Sequence, residues 1–285
     1  MTLSVSNGAA VDLRVESVED VLERVEKSLQ VRLDRGTVVR KRRSVGARAD
    51  RQSWVRIERL GLDRIGTQGW NGTESAAALD GIAKPAWRAS TAWWDESGAA
   101  MWRADETSVL PGAPVGSSVL AADPQLPEVW WQGLNASLDA LAAQHTSRVA
   151  TPDTVLVTQS VVTEAIRAAF GGGFDTTVST WVPAHADLNW ANVSGPEFCL
   201  FDWEDWGNAP RGLDSASLWG SSLAVPALAS RVRQERCGDL DSRDGKLMTL
   251  FAFSKFAGAD AHPEDPRVEP ARREGARIIR ELHAC

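Results

Sequence analysis

The feature that most constrains this chain is a break at residues 109–127. Pro111, Gly112, Pro114, Gly116, Pro124 and Pro127 crowd into that stretch, and regular helix or central strand does not run through such a cluster. The hydrophobic pattern has a different period on each side. Before the break, short runs alternate apolar and polar residues, as strands do. After it, apolar residues recur three and four apart, as on one face of a helix. The expected organisation is a β-rich lobe over 1–108 and a larger helical lobe over 109–285. That order predicts a two-lobed α+β protein with a small antiparallel sheet and argues against a doubly wound one.

The first lobe opens on an amphipathic helix over 17–29, with Val18, Val21, Leu22, Val25 and Leu29 on one face and Ser17 with Asp20 as its cap. Three strand-like runs follow, SLQVRLD, TVVRKRRSV and SWVRIERL, separated by Arg35-Gly36 and by the polar GARADR stretch. Alternation places Val39 with Lys41, and Trp54 with Arg56 and Glu58, on shared faces. Residues 71–80 read as a short helix, and 86–107 as a hairpin turning at Glu96-Ser97-Gly98. In the second lobe, 127–145 and 159–170 read as helices, the latter ended by Gly171-Gly172-Gly173. The tail from 212 is mostly helical, interrupted by CGDLDSRDG and HPEDPRVEP.

Composition removes several function classes. The net charge of −7 argues against a nucleic-acid binder, whose footprint is basic. No window approaches the length of unbroken apolar sequence that a membrane span needs. The N-terminus lacks a basic stretch followed by an apolar core, so no secretion signal is read there. Cys199, Cys237 and Cys285 have neither metal-ligand spacing nor even number, as expected of reduced thiols in a cytoplasmic protein.

The chemistry concentrates in His185-Ala-Asp187-Leu-Asn-Trp-Ala-Asn192, followed by Cys199-Leu-Phe-Asp202-Trp-Glu204. This is an H-x-D-x-x-x-x-N loop with a second aspartate ten residues after the asparagine. Phosphoryl transfer needs an acceptor for the attacking hydroxyl's proton and oxygen ligands for Mg²⁺. Asp187 suits the first task; Asn192 and Asp202 suit the second. An asparagine ligates without adding negative charge beside a nucleotide. Val193 and the apolar run before Asp202 read as a hairpin that returns Asp202 to Asn192. His185 reads as a pin for the loop rather than a catalyst.

Together, HADLNWANV and LFDWEDWGNAPRGLDSASLW resemble the aminoglycoside phosphotransferase and choline kinase-like family over residues 181–219. That family shows His-Gly-Asp at the loop, then Ile-Asp-Trp-Glu, Gly-Asp-Pro and Asp-Leu-Ala. Here Ala186 replaces the usual glycine, Asn208-Ala-Pro210 stands for Gly-Asp-Pro, and Leu213-Asp214-Ser215-Ala216 approximates the last turn. The resemblance implies a protein kinase-like fold with ATP between the lobes. It also implies Mg²⁺ on Asn192 and Asp202, and transfer to the hydroxyl of a small molecule. The acceptor that the resemblance implies is an antibiotic such as an aminoglycoside, a sugar or an amino alcohol, and the protein is expected to be a monomer or homodimer.

A kinase-like first lobe also needs a strand cation for the phosphates and a helix acid to hold it. Arg56 and Lys41 compete for the first role. Arg56 with Glu74 is preferred, because Arg56 lies in the last strand before the helix that carries Glu74. No G-x-G-x-x-G is present, and Gly46 is the nearest phosphate-loop residue. Trp93, Trp94, Trp130 and Trp131 read as packing residues, and Asp239, Asp241 and Asp244 as a solvated loop rather than a cationic-substrate pocket. Two other readings are a regulatory nucleotide-binding protein of this fold and a metal-dependent hydrolase built on His185, Asp187 and Asp202. The hydrolase needs more ligands than the stretch offers.

Overall fold

The computed structural model describes residues 12–66, 68–258 and 261–283. The N-terminal residues 1–11 and Cys285 lie outside the described residues. The protein is α+β and divides into two compact units, Met1–Ala77 with Pro85–Val109 and Ala78–Lys84 with Leu110–Cys285. The sequence reading left 78–84 in the first lobe. It joins the second unit because the Ala83 N–H donates to Ser137 Oγ (3.1 Å) and its carbonyl accepts from the Leu200 N–H (2.8 Å).

In the first unit α1 (Glu19–Leu29) precedes an antiparallel five-stranded sheet. Its strands are β1 (Val39–Arg40), β2 (Ser44–Ala49), β3 (Ser53–Gly61), β4 (Trp87–Trp94) and β5 (Ala100–Ser108), in the order β1-β2-β3-β5-β4. The short helix α2 (Gly72–Ser75) lies between β3 and β4 in the chain. Leu22, Val25 and Leu29 of α1 share a core with Val45, Ala47, Val55, Ile57, Trp93 and Ala104 on one face of the sheet. Each large aliphatic side chain there contributes about 1.5–3 kcal/mol of burial. The opposite parity, Trp54, Arg56 and Glu58 with Arg103 and Asp105, forms a charged face.

Three expectations need correction. TVVRKRRSV is not one strand: it turns at 41–43, between β1 and β2. GARADR is not a separator, since Gly46–Ala49 lie in β2; alanines 47 and 49 fill the inward positions and carry too little hydrophobic signal to reveal the alternation. SLQVRLD forms no strand, because Leu29 completes the buried face of α1 and only Leu33 bridges the sheet, at Ala49. The α1 cap also differs. Buried Val18 is the N-cap, with no side-chain bond, so packing rather than Ser17 starts the helix.

The second unit contains α3 (Glu128–Ala142), α4 (Gln159–Phe170), α5 (Leu213–Ser222), α6 (Pro226–Glu235), α7 (Cys237–Leu240), α8 (Arg243–Ala257) and α9 (Val268–His283). The apolar helix α8 is central, with α4, α5 and α9 packed around it. Thr158 caps α4, and Gly171 at φ 81° ends it, a backbone state that costs glycine nothing. Two small ladders position the loops: β6 (Ala113–Pro114) with β8 (Ser194–Gly195), and β7 (Trp181–Ala184) with β9 (Gly207–Pro210). Trp93, Trp130 and Trp131 are buried as expected, but Trp94 is 59% exposed. Asp244 is no solvated loop residue either. It is buried and accepts the Ser179 and Thr180 N–H groups (3.1 and 2.7 Å).

Candidate active site

Strand β7 delivers the chain directly into the loop 185–192. The loop is held from beneath by Asp214, in the first turn of α5, whose two carboxylate oxygens accept the N–H groups of His185 (2.7 Å) and Ala186 (2.8 Å). Both groups are buried and their backbone has no water to turn to, so a lost partner here would cost about 1–3 kcal/mol per N–H. Burial pushes the Asp214 pKa up, against the pull of His185 and of the two N–H bonds. The sequence reading saw Asp214 only as part of a family turn. Its signal was an acid in the first turn of the helix that follows the chemistry. The contact it makes is 28 and 29 residues away, beyond what local pattern reports.

Ala186 stands at φ 70°. This left-handed conformation costs a residue with a Cβ about 1–2 kcal/mol, which explains why the resembling family places glycine at the position. The two Asp214 bonds hold Ala186 there regardless. His185 is completely buried, its Nε2 lies 3.0 Å from the Phe201 carbonyl oxygen, and its ring meets Trp203 edge-on at 4.8 Å. Facing a carbonyl, Nε2 carries the proton. Burial lowers the His185 pKa, against Asp214, Asp202 and the Phe201 bond, so a neutral ring pins the loop to Phe201, the residue before Asp202.

Asp187 follows at the loop's apex. Its Oδ2 accepts from Asn192 Nδ2 (2.7 Å) and its Oδ1 from Asn189 Nδ2 (3.1 Å). The same two amides also donate to the Asp187 carbonyl oxygen (2.8 and 3.0 Å). The chain then makes a 3₁₀ turn over Trp190–Asn192 and enters a tight hairpin. Val193 bridges Leu200, and the Ser194 N–H donates to the Cys199 carbonyl (3.0 Å). The Phe201 N–H donates to the Asn192 carbonyl (3.0 Å), so the residue before Asp202 is tied directly to Asn192. Asp202 itself has φ 71°. Trp203 is buried and donates from Nε1 to the Leu200 carbonyl (2.8 Å), locking the turn that presents the aspartate. Cys199, on the buried side of the hairpin, has its thiol pushed up to about 12 by burial, so it is inert packing.

The donor set fits a hard divalent cation. The Asn192 amide nitrogen is committed to Asp187, which turns its carbonyl oxygen, a neutral hard ligand, away from that carboxylate. Among the described residues no group of three His, Cys, Asp or Glu could form an all-protein metal cage. Mg²⁺ does not require one, because it is commonly held by one or two protein oxygens with the remainder from phosphates and water.

In the first unit Arg56 and Glu58 pair on β3 (2.5 Å), directly across from Asp105 and Arg103 on β5. Arg103 binds Asp105 through Nε and Nη2 (both 2.6 Å) and Glu74 of α2 through Nη2 (3.0 Å). The ion pair made by Glu74 is therefore with Arg103 and not with Arg56, because the cross-strand register sets Arg103 beneath α2. Lys41 is exposed in the β1–β2 turn, its N–H bonded to the Ser44 carbonyl (2.8 Å). Gly46 lies opposite Arg56, and a Cβ there would meet the Trp54 indole at 2.3 Å, so the indole rather than a phosphate requires that glycine.

No protein-family model and no curated protein matches the sequence. Solved structures do match the fold. A choline/ethanolamine kinase family protein from Mesorhizobium loti covers 89% of this chain and 93% of its own, at 12% identity and TM-score 0.51. The aminoglycoside phosphotransferase APH(2'')-Ib, solved with ADP, covers 93% and 98% at 10% identity and TM-score 0.52. The choline kinase LicA from Streptococcus pneumoniae covers 93% and 99% at 12% identity and TM-score 0.50. At these identities the likeness is one of fold: the chain has the kinase-like α+β architecture of choline kinase and aminoglycoside phosphotransferase structures.

Proposed function

We propose that the protein transfers the γ-phosphate of ATP to a hydroxyl of a small molecule, with Asp187 as the base. The observation that carries this reading is the chain of short hydrogen bonds from Asp187 to Asn192 and from Asn192 to Phe201, the residue before Asp202. Asp187 orients the attacking hydroxyl and takes its proton, while Asn192 and Asp202 would hold Mg²⁺. The bound ion would neutralise charge developing on the phosphates. Arg56 is the proposed phosphate cation, with Lys41 as its alternative, and Glu74 pairs with Arg103 on the same charged face. The fold neighbours support a phosphotransferase, and their names favour an aminoglycoside or an amino alcohol as acceptor, with a sugar as a further candidate. The proposed setting is the cytoplasm, as a monomer or homodimer; no helix among the described residues is long and apolar enough to cross a membrane.

A second reading, a nucleotide-binding regulatory protein with little catalysis, draws on one observation: the helix acid holds Arg103 rather than the β3 cation. Calorimetric titration of ATP with and without Mg²⁺ tests both. Native protein is expected to bind Mg-ATP, and Asp202→Ala to lose the Mg²⁺-dependent part. Native protein that binds no nucleotide under any metal condition would sink both readings.

A further inference from the structure

We infer that Asn189 is a positioning residue for Asp187, fixing the rotamer of its carboxylate from the side opposite Asn192. This rests on the phosphotransferase reading for its kinetic consequence but on geometry alone for its structural one. The Asn189 side chain is held at both ends. Its Oδ1 accepts the Ala191 N–H (2.9 Å), capping the 3₁₀ turn, and its Nδ2 donates to both the carbonyl (3.0 Å) and Oδ1 (3.1 Å) of Asp187. Because a backbone N–H can only donate, the amide cannot flip without losing the cap, so its NH₂ group must face Asp187. Asn192 mirrors it, with Nδ2 on the same carbonyl (2.8 Å) and on the other carboxylate oxygen (2.7 Å).

Two amides therefore grip one carboxylate, each through a different oxygen. A carboxylate on a single anchor rotates about Cβ–Cγ, a broad torsion with a low barrier. With an anchor on each oxygen, rotation breaks at least one bond to a charged group. Of the two amides, Asn192 reaches Oδ2 and Asn189 reaches Oδ1, so each holds a different oxygen. The consequence lies in turnover rather than nucleotide binding, because the fixed element is the group that meets the acceptor.

Capping and positioning separate by substitution. Asn189→Ala removes both. Asn189→Ser keeps an oxygen that can accept the Ala191 N–H, since serine is an effective cap, but cannot reach Asp187 Oδ1 with a donor. The full-length protein and both variants are compared by thermal melting, Mg-ATP calorimetry, hydrolysis of Mg-ATP with water as acceptor, and crystal structures. Asn189→Ser is expected to recover the Tm lost in Asn189→Ala and to keep the native Kd. Its turnover should fall roughly 10- to 100-fold, the scale for a misplaced catalytic group, with Asp187 in more than one rotamer. If Asp187 keeps the native rotamer in Asn189→Ser, or turnover and Tm recover together, Asn189 is only a cap and the inference is overturned. If native protein hydrolyses no ATP, the phosphotransferase reading fails by itself. The rotamers in native and Asn189→Ser crystals then still decide whether Asn189 fixes the carboxylate.

Discussion

The two charged regions of this molecule are built in opposite ways. In the loop 185–202, the contacts around Asp187 join residues two and five apart, and a single hairpin returns the chain to Asp202. On the charged face of β3 and β5, Arg103 joins Glu74 from 29 residues away, and strand pairing sets Arg56 and Glu58 opposite Asp105 and Arg103. The first arrangement is carried by side-chain spacing within one segment, with Asp214 as its distant anchor. The second exists only once the sheet has formed. Local construction suits a group that must be placed to a fraction of an ångström, and the sheet's network suits a scaffold that tolerates exchange of cations between strands.

The largest effect should come from breaking the local region. Asp187→Asn keeps shape and hydrogen-bonding size but removes the proton acceptor. Phosphotransfer, or hydrolysis with water as acceptor, is expected to fall on the order of 10²- to 10⁴-fold, with Mg-ATP affinity unchanged. Steady-state rates beside a calorimetric Kd check this, and a variant of near-native rate would remove Asp187 from the mechanism. Next comes the sheet. The Arg103 side chain is only 12% exposed, and burial opposes its charge while Asp105 and Glu74 hold it up. Arg103→Met leaves the half-buried Asp105 with the Trp87 indole N–H but without this cation, a loss of no more than about 3 kcal/mol, the scale of a fully buried pair. Urea unfolding should show that loss, while residual turnover falls far less than in Asp187→Asn.

This contrast also explains what the sequence made legible. The grouping of Asp187, Asn192 and the segment leading to Asp202 was readable because it is one of spacing within a loop and a hairpin, and alanine at 186 is compatible with that spacing. The strand–helix order of the units was readable because periodicity is local too. Asp214 as the anchor of the loop, and Arg103 as the partner of Glu74, were not. Each is a contact between distant segments, and nothing in the run WRAD or LDSA distinguishes the residue that reaches across from its neighbours. β2 was lost for a different reason. Its inward positions are Val45, Ala47 and Ala49, and alanine packs a core without announcing it.

The smallest expected effect makes the sharpest cut between the regions. Glu74 is 42% exposed, and its one ion pair is with Arg103, which retains Asp105 in its absence. An exposed pair of this kind is worth no more than about 1 kcal/mol, and solvent screening reduces it further. Glu74→Gln should therefore melt within a degree or two of native protein. Its Mg-ATP affinity should stay within about twofold, because Arg56 keeps Glu58 whatever occupies position 74. A tenfold loss of affinity, about 1.4 kcal/mol, would mean that the helix acid orients the phosphate cation after all. The sheet's charged face would then be as finely placed as the loop, and the division between local site and tolerant scaffold would fall.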